Sequence, residues 1–141
     1  MISIVKFRAE HLLAIKLQEA QSYLRLHVDE DMARALEKYE SRTALCEGKP
    51  IAAAGVIPLD SGIGRLWSFL SATGPQKFLQ IHRATQRFLD TQTFRRLELI
   101  VDIDNTPAHR WAFLLGFHME AARLQSYAHD GRDCSLYARV A

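Results

Sequence analysis

Two stretches of this 141-residue sequence bring together residue types suited to chemistry. The first is Ser71-Ala72-Thr73-Gly74-Pro75-Gln76-Lys77, which leads from an aromatic run into a strongly patterned helix. Small side chains at Ser71, Ala72 and Gly74 let an anion approach the main chain, where the amides and dipole of a helix N-terminus favour negative charge. Lys77 adds a point charge, so the stretch suits a phosphate, although Pro75 removes one donor. A strand-to-helix turn that merely needs a glycine has the same composition, and both readings stand at this level. The second stretch is Leu97-Glu98-Leu99-Ile100-Val101-Asp102, an apolar run interrupted by a carboxylate. A carboxylate on a central strand is costly to bury unless paired, so Glu98 is either a functional group or a partner for Arg96 or another cation.

Other reactive residue types carry less. The histidines at 11, 27, 82, 109, 118 and 129 form no helical pair at metal-ligand spacing, and none joins a serine or cysteine in a nucleophile motif. No metal site is expected. His82 falls on the apolar stripe of its helix and reads as a core histidine rather than a ligand. Cys46 and Cys134 lie far apart at no metal or redox spacing, and read as reduced, inert thiols.

The elements that must position these residues follow from periodicity and punctuation. Ile2–Phe7 is a strand, and Arg8-Ala9-Glu10 opens a helix carrying Leu12, Leu13, Ile15 and Leu17. A second helix, capped by Asp29 or Asp31, stacks Met32, Ala33, Leu36 and Tyr39 on one stripe. Arg42–Glu47 and Ile51–Pro58 are strands joined by the turn Gly48-Lys49-Pro50, and Arg65–Leu70 is a third. Pro75 suits the first residue of a helix whose apolar stripe is Phe78, Ile81, His82, Thr85, Phe88 and Leu89. After the strand Leu97–Val101, Asp104-Asn105-Thr106-Pro107 must start a helix, with Thr106 able to cap it. Ala108, Trp111, Ala112 and Leu115 share its inner face, and Gly116 ends it with Phe117 folding back. Strands from about His118 to Ser126 and Asp133 to Val140, joined by His129-Asp130-Gly131-Arg132, complete the order β, α, α, β, β, β, α, β, α, β, β.

Composition sets the bounds. With 48% apolar and 24% charged residues the chain reads as one ordinary globular domain, residues 1–141. A formal charge of +2 implies no nucleic-acid partner, and the arginines between Arg83 and Arg96 read as a solvated face. No window has the apolar length of a membrane span, and the N-terminus lacks a secretory pattern, so no membrane partner and a cytoplasmic location are expected.

The element order resembles the GNAT superfamily of N-acetyltransferases. Asn105-Thr106-Pro107-Ala108 through Leu114-Leu115-Gly116-Phe117 is similar to the family's motif of an asparagine and an alanine before a helix ending in Gly-Phe. Tyr127 to Tyr137 resembles the family's closing hairpin, and Gly48 to Gly55 its glycine-bearing hairpin. The likeness covers roughly residues 42 to 140. Within that superfamily the chain also resembles small internal virion proteins of short-tailed phages. These share the shape of the Asn-Thr segment and closing hairpin, and their helix too follows a serine- and glycine-bearing turn near a tryptophan strand.

The resemblance implies an α+β (α/β) fold with a mixed, mostly antiparallel sheet of six or seven strands and helices on both faces. It implies acetyl-CoA as cofactor, with Ser71, Ala72, Thr73, Gly74, Gln76 and Lys77 at the pyrophosphate and Asn105 on the pantetheine arm. Phe69 and Leu70, with Leu99 to Val101, are expected to line the gap that holds the arm. Two departures mark a degenerate member. One glycine followed by a proline stands where the family carries an Arg or Gln and two spaced glycines. Ala112 occupies the position of the acid tyrosine, leaving Tyr127 or Tyr137 to substitute if the hairpin curls over the site. The base would be Glu98, with Asp102 behind it, or water. Acetyl transfer to a small-molecule amine or a protein amino group is one reading. A GNAT-like binding or structural protein that has lost catalysis, associated with a phage or prophage particle, is the other. A homodimer fits either.

Overall fold

The computed structural model describes residues 1–15, 29–71 and 74–141. Leu17, His27, Ala72 and Thr73 lie outside them. The elements are β1 (Ile2–Lys6), α1 (Ala9–Ala14), α2 (Glu30–Glu37), β2 (Ser41–Cys46), β3 (Lys49–Asp60), β4 (Ile63–Leu70), α3 (Phe78–Asp90), β5 (Arg96–Asp102), α4 (Thr106–Leu114), β6 (His118–Leu124) and β7 (Cys134–Val140). A short 3-10 turn, Gly74–Lys77, precedes α3. This is the order that periodicity predicts. The strands form one seven-stranded sheet, β1-β2-β3-β4-β5-β7-β6. β1 with β2, β2 with β3, β5 with β7 and β6 with β7 are antiparallel, whereas β4 and β5 run parallel. The mixed α+β class expected above is thus the class observed. The chain divides into two compact units, residues 1–57 with 67–92 and residues 58–66 with 93–141.

In the first unit, α1 and α2 bury Leu12, Ile15, Ala33 and Leu36 against Phe7, Ala53 and Phe69. Asp29 caps α2 by accepting from Met32 N–H at 2.8 Å, and Tyr39 lies past its end, exposed. Lys6 on β1 donates from Nζ to the carbonyls of Glu37 and Tyr39 and to Ser41 Oγ, which satisfies carbonyls at and beyond the C-terminal end of α2. Glu37 answers in the other direction, accepting from Ala9 N–H at 2.7 Å at the start of α1. His11 adds a second tie. Its Nδ1 accepts from Arg8 N–H at 3.1 Å and stands 2.9 Å from Thr43 Oγ1 on β2. Along α3 the predicted stripe holds, with Ile81 and Leu89 buried and the Phe78 and His82 rings stacked at 5.8 Å.

In this unit the β2–β3 turn and the start of α3 differ from the expectation. The β2–β3 turn is Glu47-Gly48, both at positive φ (52° and 78°), and Lys49 and Pro50 already belong to β3. Two consecutive left-handed residues give the twist that a two-residue hairpin needs, so the turn is tighter than Gly48-Lys49-Pro50. The register shifts at Ala44/Leu45, which accommodates Ile51 as an extra residue on β3. Helix α3 begins at Phe78, three residues after Pro75, which lies in the 3-10 turn.

In the second unit, α4 has both ends closed by local sequence. Asn105, rather than Thr106, is the cap, its Oδ1 accepting from Ala108 N–H at 3.2 Å. At the other end Gly116 (φ 88°) donates to the Phe113 carbonyl and Phe117 to the Ala112 carbonyl, both at 3.0 Å. That pair of reversed bonds around a left-handed glycine is the Schellman motif, and Phe117 is fully buried beside it. The closing strands stop at Leu124 and resume at Cys134, a longer connection than expected, with Ser126 and Gly131 at positive φ.

Two predictions follow from the first unit. A Cβ at Gly55 would stand 2.7 Å from the Glu40 carbonyl oxygen, 2.7 Å from Ser41 Cβ and 2.9 Å from Trp67. Gly55→Ala is therefore expected to destabilise by about 1–3 kcal/mol through overpacking, read as a lower midpoint in urea at unchanged slope. Burial lowers the His11 pKa from its ordinary value, so the unfolded chain takes up the proton first as the pH falls. The stability this gives is complete above the ordinary histidine range and lost as pH drops through the folded value. The melting temperature should fall more steeply between pH 7 and pH 5 (an interval of about two units around the free histidine value) in the native protein than in His11→Asn, which does not titrate.

Candidate functional site

The turn after β4 belongs to the first unit. Ser71 is buried and its N–H donates to the Ile51 carbonyl at 2.9 Å. That amide is a strand bond and is withdrawn from the expected phosphate-binding cluster. Ala72 and Thr73 lie outside the described residues, and Gly74 and Gln76 fall in the 3-10 turn. Lys77 is the N-cap of α3, where its side chain makes no capping bond, and the first turn of α3 contains no acidic residue. Helices α2 and α4 present a side-chain oxygen at this position, but α3 presents a cation. The start of this 13-residue helix, continuous with the 3-10 turn Gly74–Lys77, thus carries a cation and no acid, a setting that favours negative charge nearby.

Phe69 belongs to the core rather than to a lining. It is buried with Phe7, Leu12 and Ala33, and its ring lies 5.8 Å from Trp67. Strand alternation explains this, since Trp67 and Phe69 share a face that α1 and α2 cover. Leu70, on the opposite face, is half-buried.

Glu98 lies in the second unit, its side chain 15% exposed. Oε1 accepts from Arg65 Nη2 at 2.8 Å and Oε2 from Arg96 Nε at 2.7 Å. Arg96 in turn forks onto Glu120 at 2.9 and 2.5 Å. Both oxygens of the expected base are therefore engaged. The Arg65 guanidinium first, and then Arg96, hold the Glu98 carboxyl below the ordinary glutamate range, which lowers its power to take a proton. The pairing with Arg96 is the partner reading from the sequence, but Arg65, 33 residues away, completes it. Tyr127 reaches the same cluster, with Arg65 Nη1 donating to its hydroxyl at 3.4 Å. Arg65 Nε is buried without a partner. Asp102 is committed elsewhere, accepting from Asp104 N–H at 2.9 Å and Arg132 Nη1 at 3.1 Å.

On the α4 side of the unit, Ala112 is 2% exposed in the position expected for an acid. One turn earlier stands a pair that the sequence reading does not assemble. His109 Nδ1 is 2.6 Å from the Tyr137 hydroxyl, and its Nε2 is 3.0 Å from the Ile103 carbonyl oxygen. Tyr137 is buried, which pushes its pKa up and keeps the phenol protonated. No local spacing in the sequence joins Tyr137 to His109. The two are 28 residues apart, and only the β7–α4 packing brings them together.

Among the described residues no group of three or more His, Cys, Asp or Glu side chains is placed to hold a metal ion, and no helix is long and apolar enough to cross a membrane. Cys46 and Cys134 are free thiols, and burial first, then nearby carboxylates, raises the Cys134 pKa.

Comparison with solved structures decides the fold. Ard1 from Thermoplasma volcanium superposes at a TM-score of 0.81 with 17% identity, over 99% of this chain and 97% of that one. A GNAT-family acetyltransferase from Bacillus anthracis gives 0.72 at 14% identity over 99% and 94%. The chain has the GNAT fold. A GNAT-superfamily phosphinothricin acetyltransferase from Sinorhizobium meliloti, solved in complex with AcCoA, superposes at 0.74 with 15% identity over 99% and 88%. No family model matches the sequence, and no curated protein matches it.

The Glu98 cluster makes a prediction separate from any activity. Glu98→Gln leaves Arg65 and Arg96 facing each other without their shared anion, and is expected to cost about 1–3 kcal/mol. Because the folded carboxyl is held low, its stabilisation is present above the ordinary glutamate range and lost as pH falls through the folded value. Acid titration of urea stability should therefore show a larger loss in the native protein than in Glu98→Gln.

Proposed function

We propose that the protein binds acetyl-CoA and transfers its acetyl group to an amine, on a small molecule or a protein. The observation that carries this reading is the uncapped, acid-free start of α3, directly after β4 in a GNAT fold, with Lys77 at the cap. When bound, acetyl-CoA supplies the acyl group activated as a thioester. The chain's own part is to hold the pyrophosphate at the first amides of α3 beside Lys77. The residues fit this group with a reduced donor set, because Ser71 N–H is spent on Ile51 and Pro75 has none.

A second reading, a GNAT-fold binding protein without catalysis, is favoured by one feature. The position expected for the acid is a buried alanine, and the carboxylate best placed as base is neutralised by two arginines. The two readings share the ligand and differ in turnover.

Calorimetric and melting titrations with coenzyme A and acetyl-CoA test both. At about 100-fold excess over Kd, ligand binding only the folded state adds about 2.7 kcal/mol, a rise of several degrees in Tm. Lys77→Ala should weaken binding about twofold to fivefold. Absence of heat and of any Tm shift at millimolar ligand removes both readings. Binding without release of free thiol from acetyl-CoA, across a panel of polyamines and peptide N-termini, selects the second.

A further inference from the structure

The loop from β5 to α4 is fastened within its own unit at each peptide. Ile103 N–H donates to the Asp133 carbonyl at 3.2 Å, and Asn105 N–H to the Asp102 carbonyl at 3.0 Å. Asp104 N–H donates to Asp102 Oδ1 at 2.9 Å, and Arg132 holds the other oxygen of that carboxylate. The Ile103 carbonyl goes to His109, one helical turn beyond Asn105.

The direction of these bonds is dictated by chemistry. A carbonyl only accepts, so His109 Nε2 carries the ring proton, and Nδ1 of the neutral ring is an acceptor. The hydroxyl of Tyr137 therefore donates to Nδ1, and the chain Tyr137, His109, Ile103 runs from β7 through α4 to the loop. Tyr137 is 5% exposed, and a phenylalanine would fill the same space, so the hydroxyl adds direction rather than bulk. Asn105 is part of the same loop. Its Oδ1 accepts the Ala108 N–H, which leaves the NH2 end of the amide as its donor to other groups.

The geometry points to Tyr137 and His109 as a positioning pair that fixes the Ile103–Asn105 loop, so that the Asn105 amide donates to a carbonyl of the amide-bearing arm of an acyl thioester. The pair acts through Asn105, and the inference rests on the acyl-CoA reading above. Its energetic logic is preorganisation: a loop held in the binding geometry before the ligand arrives loses less freedom when it binds.

The test separates the arm from the nucleotide. The native chain, Tyr137→Phe, Asn105→Ser and the double variant are titrated with coenzyme A and with adenosine 3′,5′-bisphosphate, which lacks the arm. Serine keeps a capping oxygen and removes the amide. Tyr137→Phe is expected to weaken coenzyme A about threefold to tenfold and to leave the bisphosphate unchanged. Asn105→Ser should do the same, and the double variant should lose no more than the stronger single change. His109→Leu, which removes both ring nitrogens, carries the same expectation if Tyr137→Phe does not fold. Coenzyme A affinity unchanged by these variants, equal loss of both ligands, or additive losses would overturn the positioning role. A native chain that binds neither ligand overturns it differently, by removing the acyl-CoA reading beneath it.

Discussion

A single carboxylate organises the charged face of the second unit. Glu98 sits opposite Arg65 at the last of three pairs in the parallel β4–β5 ladder, Ile63↔Arg96, Gly64↔Leu97 and Arg65↔Glu98. Parallel pairing is slightly weaker per residue than antiparallel pairing, so a cross-strand ion pair at the end of a short ladder has a large share in holding its register. Arg96 carries the network on to Glu120 of β6, past Ala138, the small residue that pairs with Glu98 on one side and His118 on the other. Two cations and two anions then neutralise one another on a face where an isolated charge would be expensive. The same pairing lowers the Glu98 pKa and so weakens it as a proton acceptor, which is the ion-pair side of the two readings that the sequence left open.

The helix starts differ in how their first amides are met. Asp29 closes the start of α2 and Asn105 that of α4, each with a side-chain oxygen on a first-turn amide. Arg8 and His11 do this for α1 through the imidazole, with Glu37 adding a bond from α2. Helix α3 lacks such an oxygen and has Lys77 instead. The 3-10 turn Gly74–Lys77 runs directly into this helix start, which follows β4 in the chain. Its donor set is thinner than expected because Ser71 N–H completes a strand bond to Ile51. The acid-base groups of the proposed transfer are reduced in the same way. Ala112 has nothing to donate, and the two phenols expected as substitutes are engaged, Tyr127 with Arg65 and Tyr137 with His109.

Asn105 faces one demand from the fold and a second from the proposed acyl-CoA contact. Its oxygen caps α4, which is a requirement of folding, and this leaves the nitrogen end of the amide as the part that a ligand can meet. A substitution that preserves capping and removes the amide therefore separates the two roles, whereas alanine would damage both.

What the sequence by itself determined is local. The element order, the apolar stripe of α3, the Gly116-Phe117 end of α4 and the asparagine-proline start before it depend on residues within a few positions of one another, where periodicity and turn chemistry operate. Boundaries slipped where a neighbouring strand decided them. Lys49 and Pro50 joined β3 because Glu47 and Gly48 together supplied the hairpin twist, and Ser71 joined the sheet because Ile51 offered a carbonyl. Only the tertiary structure decided which polar groups face each other. Arg65 finds Glu98 across 33 residues and His109 finds Tyr137 across 28, and these pairings set the basicity of one carboxylate and the orientation of one loop. Such contacts depend on strand register and helix packing, which no short window of sequence encodes, and they govern the chemistry because charge and hydrogen bonding act over a few ångströms in space rather than along the chain.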